Sequence, residues 1–219
     1  MTVPVLTKLP PRAPRRRSFG CAMALCLLVA NGCSERTAKP RVALEPELAP
    51  YVLDSVPSNI PNRTFIDFEG KLHVIGYRVE PEVATPGGRI KLTTYWRSVS
   101  PLRPGWSLFT HVLTKGGRQV QNVDNEGPLR QLVETEVGAR QAWPPSFWEP
   151  GKVYVDEQEF QLDGEDKFQT SEISLAVGVW RGTARLSVIS GPKDRGNRGI
   201  VVRLKTTTSA KPPPSAAKT

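Results

Sequence analysis

The residues able to do chemistry are few. Two histidines (His73 and His111), three cysteines, 21 carboxylates and five tryptophans make up the stock. Zinc needs three or four convergent nitrogen or sulfur ligands, and each histidine stands alone in an apolar alternating stretch, so no metal site is expected. The groups 124-DNE-126 and 163-DGED-166 carry hard oxygen donors that suit calcium. They suit plain turns equally, because Asp and Asn bond their own backbone. There is no G-x-S-x-G elbow and no glycine-rich phosphate loop. Glu126, Glu134, Glu136 and Asp156 are candidates for the carboxylate pair of a glycan hydrolase, but nothing in their spacing brings two together. The expectation is no catalytic residue, no cofactor and no enzyme activity.

The remaining chemical candidate is recognition. The stretch 143-WPPSFWEPG-151 sets two tryptophans and a phenylalanine among prolines and a glycine. Aromatics on a stiff loop can stack a sugar ring, or they can plug one end of a fold. Trp148 precedes the turn residues Pro150 and Gly151 and reads as packing. Trp143 and Phe147 lie in the irregular approach and are the candidates for stacking, with Asp124, Asn125 and Arg130 as polar neighbours. Trp106 and an outward Trp180 are further aromatics of this kind.

These residues must be carried by something, and the ends of the chain say where it sits. Arg12, Arg15, Arg16 and Arg17 precede the apolar run 21-CAMALCLLVA-30, which is too short to span a bilayer but fits the core of a signal peptide. It leads into 28-LVANGC-33, which resembles a bacterial lipobox with Cys33 as the acylated residue. A plain signal peptide cut after Gly32 would leave a lone thiol in an oxidising compartment. Removal of the segment takes Cys21 and Cys26 with it, which excludes a disulfide scaffold and favours the anchor. The run 16-RRSF-19 resembles a twin-arginine export signal, with the general secretory route as the alternative. Ser34 after the cysteine points to the periplasmic face of the outer membrane.

The formal charge of +9 shrinks with the segment, leaving 25 basic against 21 acidic residues. A +4 protein is not a nucleic-acid binder on charge. The excess gathers in 181-RGTARLSVISGPKDRGNRGIVVRLK-205. The expected organisation is a lipoprotein signal peptide at 1–32, an anchor and Pro-rich tether at 33–60, one domain at 61–205, and a disordered tail at 206–219. A docked turn is expected near 51–56.

The domain reads as strands. In 89-RIKLTTYWR-97, Ile90, Leu92, Thr94 and Trp96 alternate with Arg89, Lys91, Thr93 and Arg97. In 171-SEISLAVGVW-180, Ile173, Leu175, Val177 and Val179 point one way. Further strands are expected at 64–69, 72–79, 107–114, 117–123, 152–162, 184–189 and 200–204, with turns at EGK, TPGG, TKGG, EPGK and RGT between them. Many short strands with no helical period predict an all-β antiparallel β-sandwich of the immunoglobulin-like or carbohydrate-binding-module-like kind. The irregular stretch 124–148 should cross one end.

Three segments, 75-IGYRVEPEVATPGGRIKLTTYW-96, 108-LFTHVLTKGGRQVQNVD-124 and 145-PSFWEPGKVYVDE-157, followed by a strand ending in V-G-V-W, carry a family pattern. Over residues 64–204 the chain resembles the periplasmic β-sandwich domain at the C-terminus of bacterial membrane glycosyltransferases of the protein-mannosyltransferase-like class. The motifs are P-G-x-x-[IL]-x-L-x-x-Y-W, a strand with F-x-H, and W-x-P-G followed by Asp156. The resemblance implies a sandwich and a place near glycan or envelope assembly. It implies no transferase chemistry, because the catalytic residues of that class lie in a membrane part with no counterpart here. It also implies that Trp148 covers the sandwich end and that Asp156 bonds local backbone N–H groups.

The expected function is a non-catalytic, lipid-anchored binding or accessory module in envelope or glycan biology. A structural subunit docking a protein partner and a glycan hydrolase are the alternatives. The membrane, through Cys33, and a glycan or envelope protein are the expected partners.

Overall fold

Period-two alternation becomes two facing sheets in the computed structural model, which describes residues 42–164 and 170–207. The signal peptide, Cys33, residues 165 and 166 of the second acidic group, and positions 208–219 of the expected tail lie outside the described residues. The first sheet runs in the order β1 (Val52–Leu53), β10 (Val153–Gln161), β5 (Arg89–Ser98), β3 (Leu72–Glu80), β2 (Asn62–Phe68) and β13 (Val188–Ser190). The second runs β4 (Val83–Ala84), β14 (Gly199–Thr206), β11 (Glu172–Arg181), β6 (Ser107–Thr114) and β7 (Gln119–Asn122), with β12 (Ala184–Arg185) turned back on β11. Neighbours are antiparallel except β4 and β14, which run parallel. The protein is an antiparallel β-sandwich.

Inward positions of both sheets form one hydrophobic cluster. Ile90, Leu92 and Trp96 of β5 and Leu175, Val177 and Val179 of β11 belong to it, together with Phe68, Val112 and Tyr154. Each buried side chain of this size contributes roughly 1.5–3 kcal/mol, which offsets the entropy of ordering the chain.

Two expectations change. The segment expected as one strand at 184–189 is divided: β12 pairs with β11 in the second sheet, and β13 pairs with β2 in the first. Leu186 and Val188 are both buried, so the chain crosses the edge of the sandwich between them while keeping both apolar side chains inside. The described part of the expected tether is also structured. A 3-10 turn at Pro46–Tyr51 buries Leu48, and β1 then pairs Val52 with Tyr154 at the edge of the first sheet. Leu44, Tyr51 and Val52 pack against the core as well. Apolar residues spaced among the prolines outweigh the tether-like composition.

The stretch 123–148 crosses between the sheets and carries a short ribbon of β8 (Leu132–Val133) and β9 (Arg140–Gln141). It is fastened by polar side chains. The Gln141 amide donates to the Leu108 carbonyl at 2.9 Å and accepts from the Leu108 N–H at 2.9 Å, standing in for a neighbouring strand beside β6. Gln158 of β10 donates to the Val123 carbonyl at 2.7 Å and accepts from the Thr110 hydroxyl at 2.7 Å. Gly127, at φ +96°, lets the loop lie against β10, because a Cβ there would stand 1.8 Å from the Glu157 carbonyl oxygen.

Candidate binding site

The sequence-derived candidates separate in space. Arg130 is fully buried, donating from Nε to Asp156 Oδ1 at 2.9 Å and from Nη2 to Asp156 Oδ2 at 2.6 Å. Thr94 donates to the same carboxylate at 2.9 Å and accepts from the Trp96 indole at 2.8 Å. Asp156 therefore holds a buried guanidinium and a hydroxyl, where local backbone N–H groups were expected. Its oxygens are engaged, so it is not available as a hydrolase carboxylate.

Trp143 is only 6% exposed and meets Phe147 edge to face at 5.3 Å between centroids, with the Arg140 guanidinium 4.9 Å over the half-buried Phe147 ring. Trp148 donates its indole N–H to the Trp143 carbonyl at 3.0 Å and stacks on Tyr154 at 4.3 Å with 5° between planes. This stretch closes one end of the sandwich. Trp143 and Arg130 would have to leave the interior to touch a ligand, and Asn125 is exposed. Trp106 is buried, with the Arg181 guanidinium 5.1 Å over its ring.

Asp124 is the member of the set that reaches a cavity. On β6 the inward residues are Leu108, Thr110 and Val112, so strand parity puts Phe109 and His111 on the outer face of the second sheet. Phe109 lies flat across Gly178 of β11, where a Cβ would stand 2.2 Å from the ring. Glycine at this one position makes room for an aromatic floor. His111 stacks on Phe109 at 4.6 Å between centroids, and the Arg185 guanidinium lies 4.9 Å over the same ring. The β11–β12 hairpin raises Trp180 as a wall, 39% exposed. Asn122 and Asp124, at the end of β7, form the opposite rim. The space between is about 530 Å³, within the range of small-molecule pockets.

The electrostatics of this cavity follow from burial. His111 is 5% exposed, its Nδ1 has no partner among the described residues, and its Nε2 stands 3.8 Å from Asp124 Oδ1. Desolvation pushes its pKa down to about 4 against the opposing pull of Asp124, so the ring is neutral at neutral pH. Asp124 Oδ1 accepts from the Thr110 N–H at 2.9 Å, and Oδ2 from the Asn122 amide at 2.8 Å.

Compared with protein-family models the chain matches none, and no curated protein is significantly similar to it. The site therefore stands on its own geometry.

A second depression, of about 450 Å³, lies on the outer face of the first sheet. Most of its charges are closed in ion pairs, Arg78 on Glu80 at 2.6 Å and Lys91 on Glu159 at 3.2 Å, with Glu159 also held by Arg89 at 2.7 Å, while Glu157 faces solvent. No aromatic side chain lines it. It reads as a solvated, charge-laced sheet face.

Sequence reasoning had named Trp180 as an outward aromatic and Asp124 as polar. It considered His111 only as a metal ligand and set it aside, and it passed over Phe109, Asn122 and Arg185. The parity of 107–114 carried the signal for Phe109 and His111. Nothing local carried it for Arg185, which enters only through the hairpin.

Proposed function

We propose that the protein is a non-catalytic lipoprotein, anchored through Cys33 on the periplasmic face of the outer membrane, that binds envelope glycan. One observation carries the binding reading: an indole that remains 39% exposed beside a cavity rimmed by an amide, a carboxylate and a guanidinium. An exposed aromatic face takes the apolar side of a pyranose while polar groups at its edge take hydroxyls. The lipobox-like 28-LVANGC-33 and the resemblance to the periplasmic domain of membrane glycosyltransferases support the location.

The test is a screen of envelope polysaccharides and a glycan array against the full chain purified in detergent, with Trp180→Ala alongside. Retention of a glycan that falls by about tenfold or more in the variant is expected, as for an aromatic anchor at an interface. Retention that Trp180→Ala leaves unchanged would place recognition elsewhere.

A second reading, docking of a protein partner, is favoured by one feature. The β8–β9 ribbon presents Leu132 and Val137 to solvent, Val137 at 97% exposure. Co-purification with a protein that survives Trp180→Ala and is lost in Leu132→Glu would support that reading.

A further inference from the structure

We infer that the cavity over the second sheet selects a pyranose bearing a carboxylate, its ring on Trp180 and its carboxylate on Arg185. This rests on the glycan-binding reading and goes beyond it by naming the ligand's charge.

The argument turns on what each side chain has left to offer. Arg185 is exposed, and among the described residues no hydrogen bond or ion pair engages its guanidinium. Several other cations of the sandwich are taken, Arg130 by Asp156, Arg198 by Asp194 at 2.6 Å, and Arg89 and Lys91 by Glu159; Arg185 is the cation among the residues lining this cavity. Its position 4.9 Å over the Phe109 ring holds the guanidinium at the cavity without consuming its N–H donors. Two parallel N–H groups of a guanidinium match a carboxylate.

Register supplies the spacing. Trp180 and Arg185 are directly opposite on β11 and β12, so their side chains share a face with Cβ atoms about 5 Å apart. A pyranose lying on the indole places a ring substituent within reach of the guanidinium. Asp124 is otherwise disposed. Each of its oxygens already accepts one hydrogen bond, from Thr110 and Asn122, which damps its repulsion of an anion and leaves lone pairs for sugar hydroxyls. His111 adds no positive charge that would compete for the carboxylate.

The test is calorimetric titration of the full chain in detergent with tetragalacturonate, and with the same oligosaccharide methyl-esterified at every carboxylate. The acid is expected to bind at least about tenfold tighter than the ester. Arg185→Gln should remove that preference, and Trp180→Ala should weaken both ligands. Both side chains are exposed, so an unchanged far-UV circular dichroism spectrum is the expected control. Equal affinity for acid and ester, with both still dependent on Trp180, would overturn the charge selection and leave glycan binding standing. A preference that survives Arg185→Gln would overturn the role of Arg185. Binding of neither ligand would overturn the inference, while glycan retained through Trp180 in the wider screen would keep the glycan-binding reading.

Discussion

Arg130 and Asp156 sit without solvent between two sheets of aliphatic and aromatic side chains. Taking two charges into such a place costs several kcal/mol per ion, and only the paired arrangement recovers it. Asp156→Ala alone should therefore destabilise the protein by about 3–5 kcal/mol. The double variant Arg130→Met/Asp156→Leu should lose much less, as a urea unfolding series at neutral pH would read. His111 gives a pH signature. Its folded-state pKa, about 4, lies below the ordinary value near 6.5, so the unfolded chain binds the proton first. Stability should be level above about pH 6.5 and fall as pH drops towards about 4, by on the order of 2–3 kcal/mol. Urea midpoints across that window should be flatter in His111→Gln than in the wild type. Of these residues, Asp156 was visible from its place after W-x-P-G. Its partner was not, because Arg130 lies 26 positions earlier in a loop whose path depends on Gly127 and Gln141. Ion pairing at that separation leaves no local pattern.

Among the elements, the strands of long alternation were legible because burial on one face enforces period two: β5, β6, β10 and β11 fall within a few residues of their expected bounds. The turn-rich stretch 143–151 was legible as architecture through Trp148, whose indole N–H and ring face are both satisfied inside. Less legible were elements of two or three residues. β1, β4, β8, β9 and β12 are too short for a period to show, and they exist because a longer neighbour offers an edge. The crossing from β12 to β13 is of this kind. A docked turn was expected near 51–56, but its start at Pro46 was hidden by proline content, and Leu48 is 3% exposed. Leu48→Ala should cost about 2–5 kcal/mol if this turn belongs to the cooperative fold, and a urea midpoint unchanged from wild type would mark it as independent of the sandwich.

For the whole molecule, the proposed anchor sets the frame. Cys33→Ser should move the protein from the membrane to the soluble fraction and remove the acyl mass from the mature chain, which fractionation and intact-mass spectrometry would read. With lipid on Cys33, the docked turn near Leu48 acquires a second meaning. A tether running to residue 60 would have let the sandwich roam about 90 Å from the lipid, at roughly 3.3–3.6 Å per residue. Leu48 is docked on the core, so the chain between Cys33 and Leu48 spans fifteen residue steps and reaches no more than about 50–54 Å. An anchored domain would then patrol a shell bounded by that reach, and the polymers open to it would be those rooted in, or lying against, its own membrane.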